Sequence, residues 1–108
     1  MLSNSLTNDT KDSKTETQIQ RALIFQGGGA LGAYEAGVYK ALYDNLIEGA
    51  QKENRLLFDI VAGTSAGAIN ATLIVNHVLQ NKDKRNPWAG SAEKLFQFWE
   101  DISTDTWY

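Results

Sequence analysis

The sequence predicts an α/β fold in which a parallel sheet is joined by a right-handed βαβ crossover. Two observations carry that reading. Two short apolar runs each stop at glycine, and after each run the apolar residues change to three- and four-residue spacing. The alternation is strand, helix, strand, helix. Parallel strands place both of their following turns at the same carboxyl edge, where open α/β sheets hold their sites.

The first strand is Arg21-Ala22-Leu23-Ile24-Phe25-Gln26, a run that reads as buried and ends at three glycines. Leu31, Tyr34, Val38, Ala41 and Leu42 then form one apolar stripe on a first helix. That helix is expected to fade near Glu48-Gly49, where glycine can act as a stop. A polar link, Gln51 to Arg55, leads to a second apolar strand, Leu56 to Ala62, again closed by glycine. Ala66 to Leu79 reads as a second helix, with Ile69, Leu73 and Val78 among its apolar positions. Asn81 to Gly90 is charged, holds the single proline and reads as a loop. Ser91 is the expected N-cap of a third helix whose buried side is Leu95, Phe96, Trp99 and Ile102.

Composition narrows the function classes. The chain has 108 residues, net charge −3 and no cysteine. It carries no basic footprint for nucleic acid and no polybasic patch for anionic lipid. Without cysteine there is no disulfide framework and no thiolate metal site. Residues 1–19 are polar almost throughout and read as a flexible tail, because they have little apolar surface to offset the entropy of ordering. They contain no apolar core of a classical signal peptide, and no run is long enough to span a bilayer. Localisation stays open between the cytoplasm and a non-classical export route.

Two turns carry chemistry. Gly63-Thr64-Ser65-Ala66-Gly67 is a Gly-x-Ser-x-Gly pattern between a strand and a helix, the context in which that pattern makes a nucleophile elbow. The turn strains the serine backbone, pushes the hydroxyl out of the sheet and leaves no room for side chains two residues to either side. The helix N-terminus adds partial positive charge beside that hydroxyl. The bland alternative is a chance match at a tight turn.

The other turn, Gly27-Gly28-Gly29-Ala30-Leu31-Gly32, fits two mechanisms. Its amides can form an oxyanion hole, or Gly27-x-Gly29-x-x-Gly32 can be a dinucleotide fingerprint. The fingerprint also wants an acidic residue at the end of the next strand, to hold a ribose. Asp59 stands near the start of that strand, and its end is taken by the serine turn. This discrepancy favours the oxyanion hole; a purely structural glycine turn is the remaining alternative.

Together, RALIFQGGGALGAYEAGVYKAL (Arg21 to Leu42) and FDIVAGTSAGAINA (Phe58 to Ala71) resemble the patatin-like phospholipases. KLFQFWEDIS, Lys94 to Ser103, looks like bacterial members of that family. The resemblance implies a three-layer α/β/α fold, of which residues 20–108 are the truncated N-terminal portion of an acyl hydrolase domain. It also implies a serine lipid acyl hydrolase with a Ser-Asp dyad, Ser65 as nucleophile and Gly27, Gly28 and Gly29 as oxyanion-hole glycines. Its substrates are acyl esters of lipids at a membrane or micelle surface, and its chemistry needs no metal or other cofactor.

Two departures matter. Leu31 stands where many members carry Arg or Lys, and no Asp-Gly-Gly or Asp-Gly-Ala motif follows to supply the base. His77, twelve residues after Ser65 on one helix, should lie about 18 Å along the axis, too far to serve. Asp83, Asp101 and Asp105 lack a following glycine. The dyad Asp is expected beyond Tyr108, with the 108 residues alone inactive. A non-catalytic binding module is the alternative that the missing base motivates.

Overall fold

A computed structural model of the chain describes residues 19–28 and 31–106. Most of the expected tail, Gly29, Ala30, Trp107 and Tyr108 lie outside the described residues. Five elements follow in order: β1 (Ala22–Phe25), α1 (Leu31–Lys52), β2 (Ile60–Gly63), α2 (Ala66–Gln80) and α3 (Ser91–Thr106). The two strands pair in parallel, so the domain is α/β, with α2 packed on the two-stranded sheet and α1 and α3 packed against α2 and each other. This is consistent with the α/β/α expectation.

Register places the site. Ala22 pairs with Ile60, Leu23 with Val61, Ile24 with Ala62 and Phe25 with Gly63. Both strands therefore end level, and their two glycine turns emerge side by side. At the opposite edge the Arg21 carbonyl accepts the Asp59 and Ile60 amides, while the Asp59 carboxylate accepts the Arg21 amide at 2.9 Å. Asp59 is thus occupied at the amino end of the sheet, away from the glycine loop.

The core is an aromatic row between sheet and helices. Ring centroids lie 6.5 Å apart for Phe25 and Tyr39, 6.3 Å for Tyr39 and Phe58, and 6.1 Å for Phe58 and Trp88. Buried Leu23, Leu57, Ile74 and Leu95 complete it. A buried hydroxyl must find a partner. Tyr39 donates to Ser91 Oγ at 2.7 Å, and Ser91 donates on to the Trp88 carbonyl at 2.6 Å. Burial pushes the Tyr39 phenol up to about 12.

Several sequence expectations are corrected here. The strands are shorter than the apolar runs and alternate in burial: Leu23 and Phe25 are buried, whereas Ile24 and Ile60 are exposed. On α1 the expected stripe is largely the outer face. Leu31, Tyr34, Val38 and Ala41 are exposed, and the buried line is Gly32, Ala36, Tyr39 and Ala50. Both lines satisfy helical spacing. Small residues decide between them, because Gly32 and Ala36 let α1 approach its neighbours closely.

Nor does α1 stop at Gly49; it runs three residues further, to Lys52. Its end is a Schellman motif in which the Arg55 amide reaches the Ala50 carbonyl at 2.9 Å and the Asn54 amide reaches Gln51 at 3.1 Å. Asn54 takes the left-handed conformation, with φ 53. On α2, Ile69 is exposed and Asn70 is buried in its place. On α3, Leu95 is buried and Trp99 partly so, but Phe96 and Ile102 are exposed. Gly90, not Ser91, occupies the cap position, since its carbonyl accepts the Lys94 amide; the Ser91 hydroxyl is spent on the core.

Candidate active site

Ser65 stands between β2 and α2 with φ 55 and ψ −128, a conformation that a non-glycine residue rarely adopts. The surrounding bonds impose it. The Thr64 amide donates to the Phe25 carbonyl at 3.1 Å, which fixes the end of β2 to the end of β1. Gly67 then bonds back to Thr64 and Ala68 back to Ser65, each at 2.8 Å, so the chain reverses into the helix within one turn.

Such a reversal leaves no room for β-carbons at the flanks. A Cβ on Gly63 would meet the Gly67 carbonyl oxygen at 2.2 Å, and one on Gly67 would meet the carbonyl oxygens of Phe25 and Gln26 at 2.6 and 2.7 Å. The Ser65 side chain makes no capping bond to its own helix, and the residue is exposed. Its hydroxyl is thus presented at the N-terminus of α2, whose first turn contains no acidic residue. The positive end of the helix dipole therefore acts there without a nearby carboxylate on that turn to offset it.

The glycine loop lies against the serine. A Cβ on Gly27 would stand 2.7 Å from Ser65 Cβ and 3.5 Å from Oγ, so glycine at 27 lets backbone touch the hydroxyl-bearing residue. Gly28 has φ +115, and its carbonyl accepts the Leu31 amide at 2.9 Å, turning the chain into α1. Gly29 is outside the described residues. Gly32 is already helical and buried, with the Trp99 ring 2.3 Å from where its Cβ would be. The structure thus gives Gly32 a packing position, puts Gly27 beside the serine and sets Gly28 against the Leu31 side chain.

Two of the candidate acidic bases are engaged away from the serine. Asp59 is held at the far edge by Arg21, and Asp101 accepts a bond from Gln97 at 2.8 Å on the exposed side of α3. His77 Nε2 lies 2.6 Å from the Ala89 carbonyl, which ties α2 to the loop before α3. Among the described residues, no group of three or more His, Cys, Asp or Glu side chains is arranged to hold a metal ion, and no helix is long and apolar enough to cross a membrane.

A polar cluster behind the site was not foreseen. Asn70, Glu35 and Trp99 are joined by hydrogen bonds beneath the glycine loop. The available signal was Asn70 itself, a poor helix former set among Ala, Ile and Thr at a position of α2 that faces the other helices.

A family model described as patatin-like phospholipase matches residues 23–107, the N-terminal part of that domain. No curated protein and no solved structure gave a match.

Proposed function

Because this chain belongs to the patatin-like phospholipase family, a family of lipid acyl hydrolases, we propose that Ser65 is the nucleophile of a serine esterase acting on lipid acyl esters. The observation that supports this most is the elbow itself. A strained serine at φ 55 opens a helix and has glycine backbone packed on its Cβ.

In this reading Ser65 Oγ attacks the ester carbonyl carbon. The carbonyl π pair moves onto oxygen, and the resulting oxyanion faces the amides of Gly27, Gly28 and Gly29. Oxyanion-hole donors of this kind are each worth about 10²–10³ in rate. The serine proton passes to an Asp carboxylate and then to the departing alcohol or lysolipid. Water attacks the acyl-enzyme and releases the fatty acid. The resemblance puts that Asp in an Asp-Gly-Gly or Asp-Gly-Ala motif, which the 108 residues do not contain, so it is proposed to come from chain beyond Tyr108. Leu31, half exposed at the start of α1, supplies no charge for an anionic head group.

The test is labelling of the product of the whole reading frame with a fluorophosphonate probe. Wild-type protein is expected to label and Ser65→Ala to lose at least 99% of the signal, on the order of the loss a missing nucleophile causes. Undiminished labelling of Ser65→Ala overturns the assignment. If neither the 108 residues nor the extended chain hydrolyses an ester or labels, the non-catalytic module is the better reading.

A further inference from the structure

Asn70 lies five residues after Ser65 and is fully buried. A buried amide is costly unless its hydrogen bonds are met. Its orientation follows from its partners. Trp99 Nε1 can only donate, so Asn70 Oδ1 faces it, at 2.7 Å. Nδ2 therefore points the other way and donates to the Gly32 carbonyl at 3.1 Å and to Glu35 Oε1 at 3.2 Å. The second oxygen of Glu35 accepts the Gln26 amide at 3.1 Å.

Gln26 immediately precedes the glycine loop and Gly32 is its last glycine. One side chain on the helix that Ser65 opens thus holds both ends of the loop, Gly32 directly and Gln26 through the Glu35 carboxylate. Gly27 and Gly28 have no side chains with which to pack, and glycine backbone is the least self-constrained of all. Their placement has to come from anchors at the ends. An oxyanion hole demands such placement, because donors must stand about 2.7–3.1 Å from the developing charge.

We propose that Asn70, acting with Glu35, is a positioning residue that holds the glycine loop in register with Ser65, so that loop amides and serine hydroxyl address the same ester carbonyl. The inference rests on Ser65 being the nucleophile and the loop being its oxyanion hole. Neither Asn70 nor Glu35 touches the reacting atoms. Their effect is on where the loop amides stand.

The experiment uses the whole reading frame and a p-nitrophenyl ester. Asn70→Asp keeps the size and the acceptor for Trp99 but turns a carboxylate oxygen toward Glu35 and the Gly32 carbonyl. It is expected to lower kcat about 100-fold, the scale of a misplaced catalytic group, with KM within about twofold. Fluorophosphonate labelling of Ser65 should slow in parallel.

Glu35→Gln, on a half-buried side chain, leaves only one of the two acceptors and should lower kcat about tenfold. The pair Asn70→Asp with Glu35→Gln sets an amide donor opposite the new carboxylate and should regain about tenfold over Asn70→Asp alone. If Asn70→Asp does not fold, Glu35→Gln decides. An active wild type whose folded variants keep kcat, or change only KM, overturns the positioning role and leaves the nucleophile standing. A wild type that neither labels nor hydrolyses overturns both.

Discussion

The two strand-to-helix turns lie side by side at one sheet edge, yet their glycines are required for different reasons. At the elbow, Gly63 is demanded by its own turn, since its β-carbon would run into the backbone of Gly67 and Ala68 a few residues on. In the loop after β1, Gly27 and Gly32 are demanded by distant partners. Gly27 makes room for Ser65, 38 residues later in the chain, and Gly32 for Trp99 on α3. Gly63 is constrained by local geometry and Gly27 and Gly32 by assembly; Gly67 joins the second group, since it makes room for the carbonyl oxygens of Phe25 and Gln26. The Gly63 constraint therefore arises wherever β2 meets α2, whereas Gly27, Gly32 and Gly67 are required only once β1, α2 and α3 have come together.

The sharpest way to break that contrast is to add one methyl group to each turn. Gly63→Ala forces a carbon to within 2.2 Å of a backbone oxygen that no side-chain rotation can relieve. A loss of at least about 3 kcal/mol of stability is expected, the upper end of what overpacking costs. A denaturant titration should show the midpoint collapse or no folded protein at all. Unchanged stability would show that the elbow can open without cost, and the local reading of this turn would be wrong.

Gly27→Ala is the matched change in the loop, and it should act mainly on activity. The nearest neighbours of its β-carbon would be Ser65 Cβ at 2.7 Å, Thr64 O at 3.2 Å and Ser65 Oγ at 3.5 Å, so the strain is relieved by shifting Ser65 or the loop. Stability is expected to fall by about 1 kcal/mol and esterase kcat by about 100-fold. Measured together by denaturation and turnover on the full reading frame, the two changes should separate. Gly63→Ala loses the fold, and Gly27→Ala keeps the fold and loses rate. Equal losses in both measurements would erase the distinction.

The same division explains what could be read before the structure. The elbow was legible because strand, Gly-x-Ser-x-Gly and helix are contiguous, and their local sterics determine where the serine points. The parallel order was legible too, since glycine-terminated apolar runs alternate with helical spacing. The buried face of α1 was not. Leu31, Tyr34 and Val38 outrank Gly32 and Ala36 in hydrophobicity, but close approach to Trp99 selects the smaller residues.

Ser91 misled for a similar reason. Its sequence context fits a cap, but the buried Tyr39 hydroxyl needs an acceptor, and Ser91 supplies it. Asn70 was invisible as a site residue because its partners lie 35 and 38 residues earlier and 29 later in the chain. Only packing brings them together.

The smallest effect tests the contrast from the other side. Gly37 and Gly49 sit within α1, and a β-carbon on either would meet nothing within 4 Å. Neither has a positive φ, so neither glycine is needed by its own backbone or by a neighbour. Glycine inside a helix costs about 0.5–1 kcal/mol relative to alanine, because the unfolded chain has more freedom to lose. Gly37→Ala and Gly49→Ala should each raise stability by about that much and leave kcat unchanged. Thermal melts with turnover measured in parallel would detect it. A loss of stability at Gly37 would reveal a close neighbour on the outer face of α1, beside Tyr34 and Val38, and would make that glycine a third of the Gly27 kind.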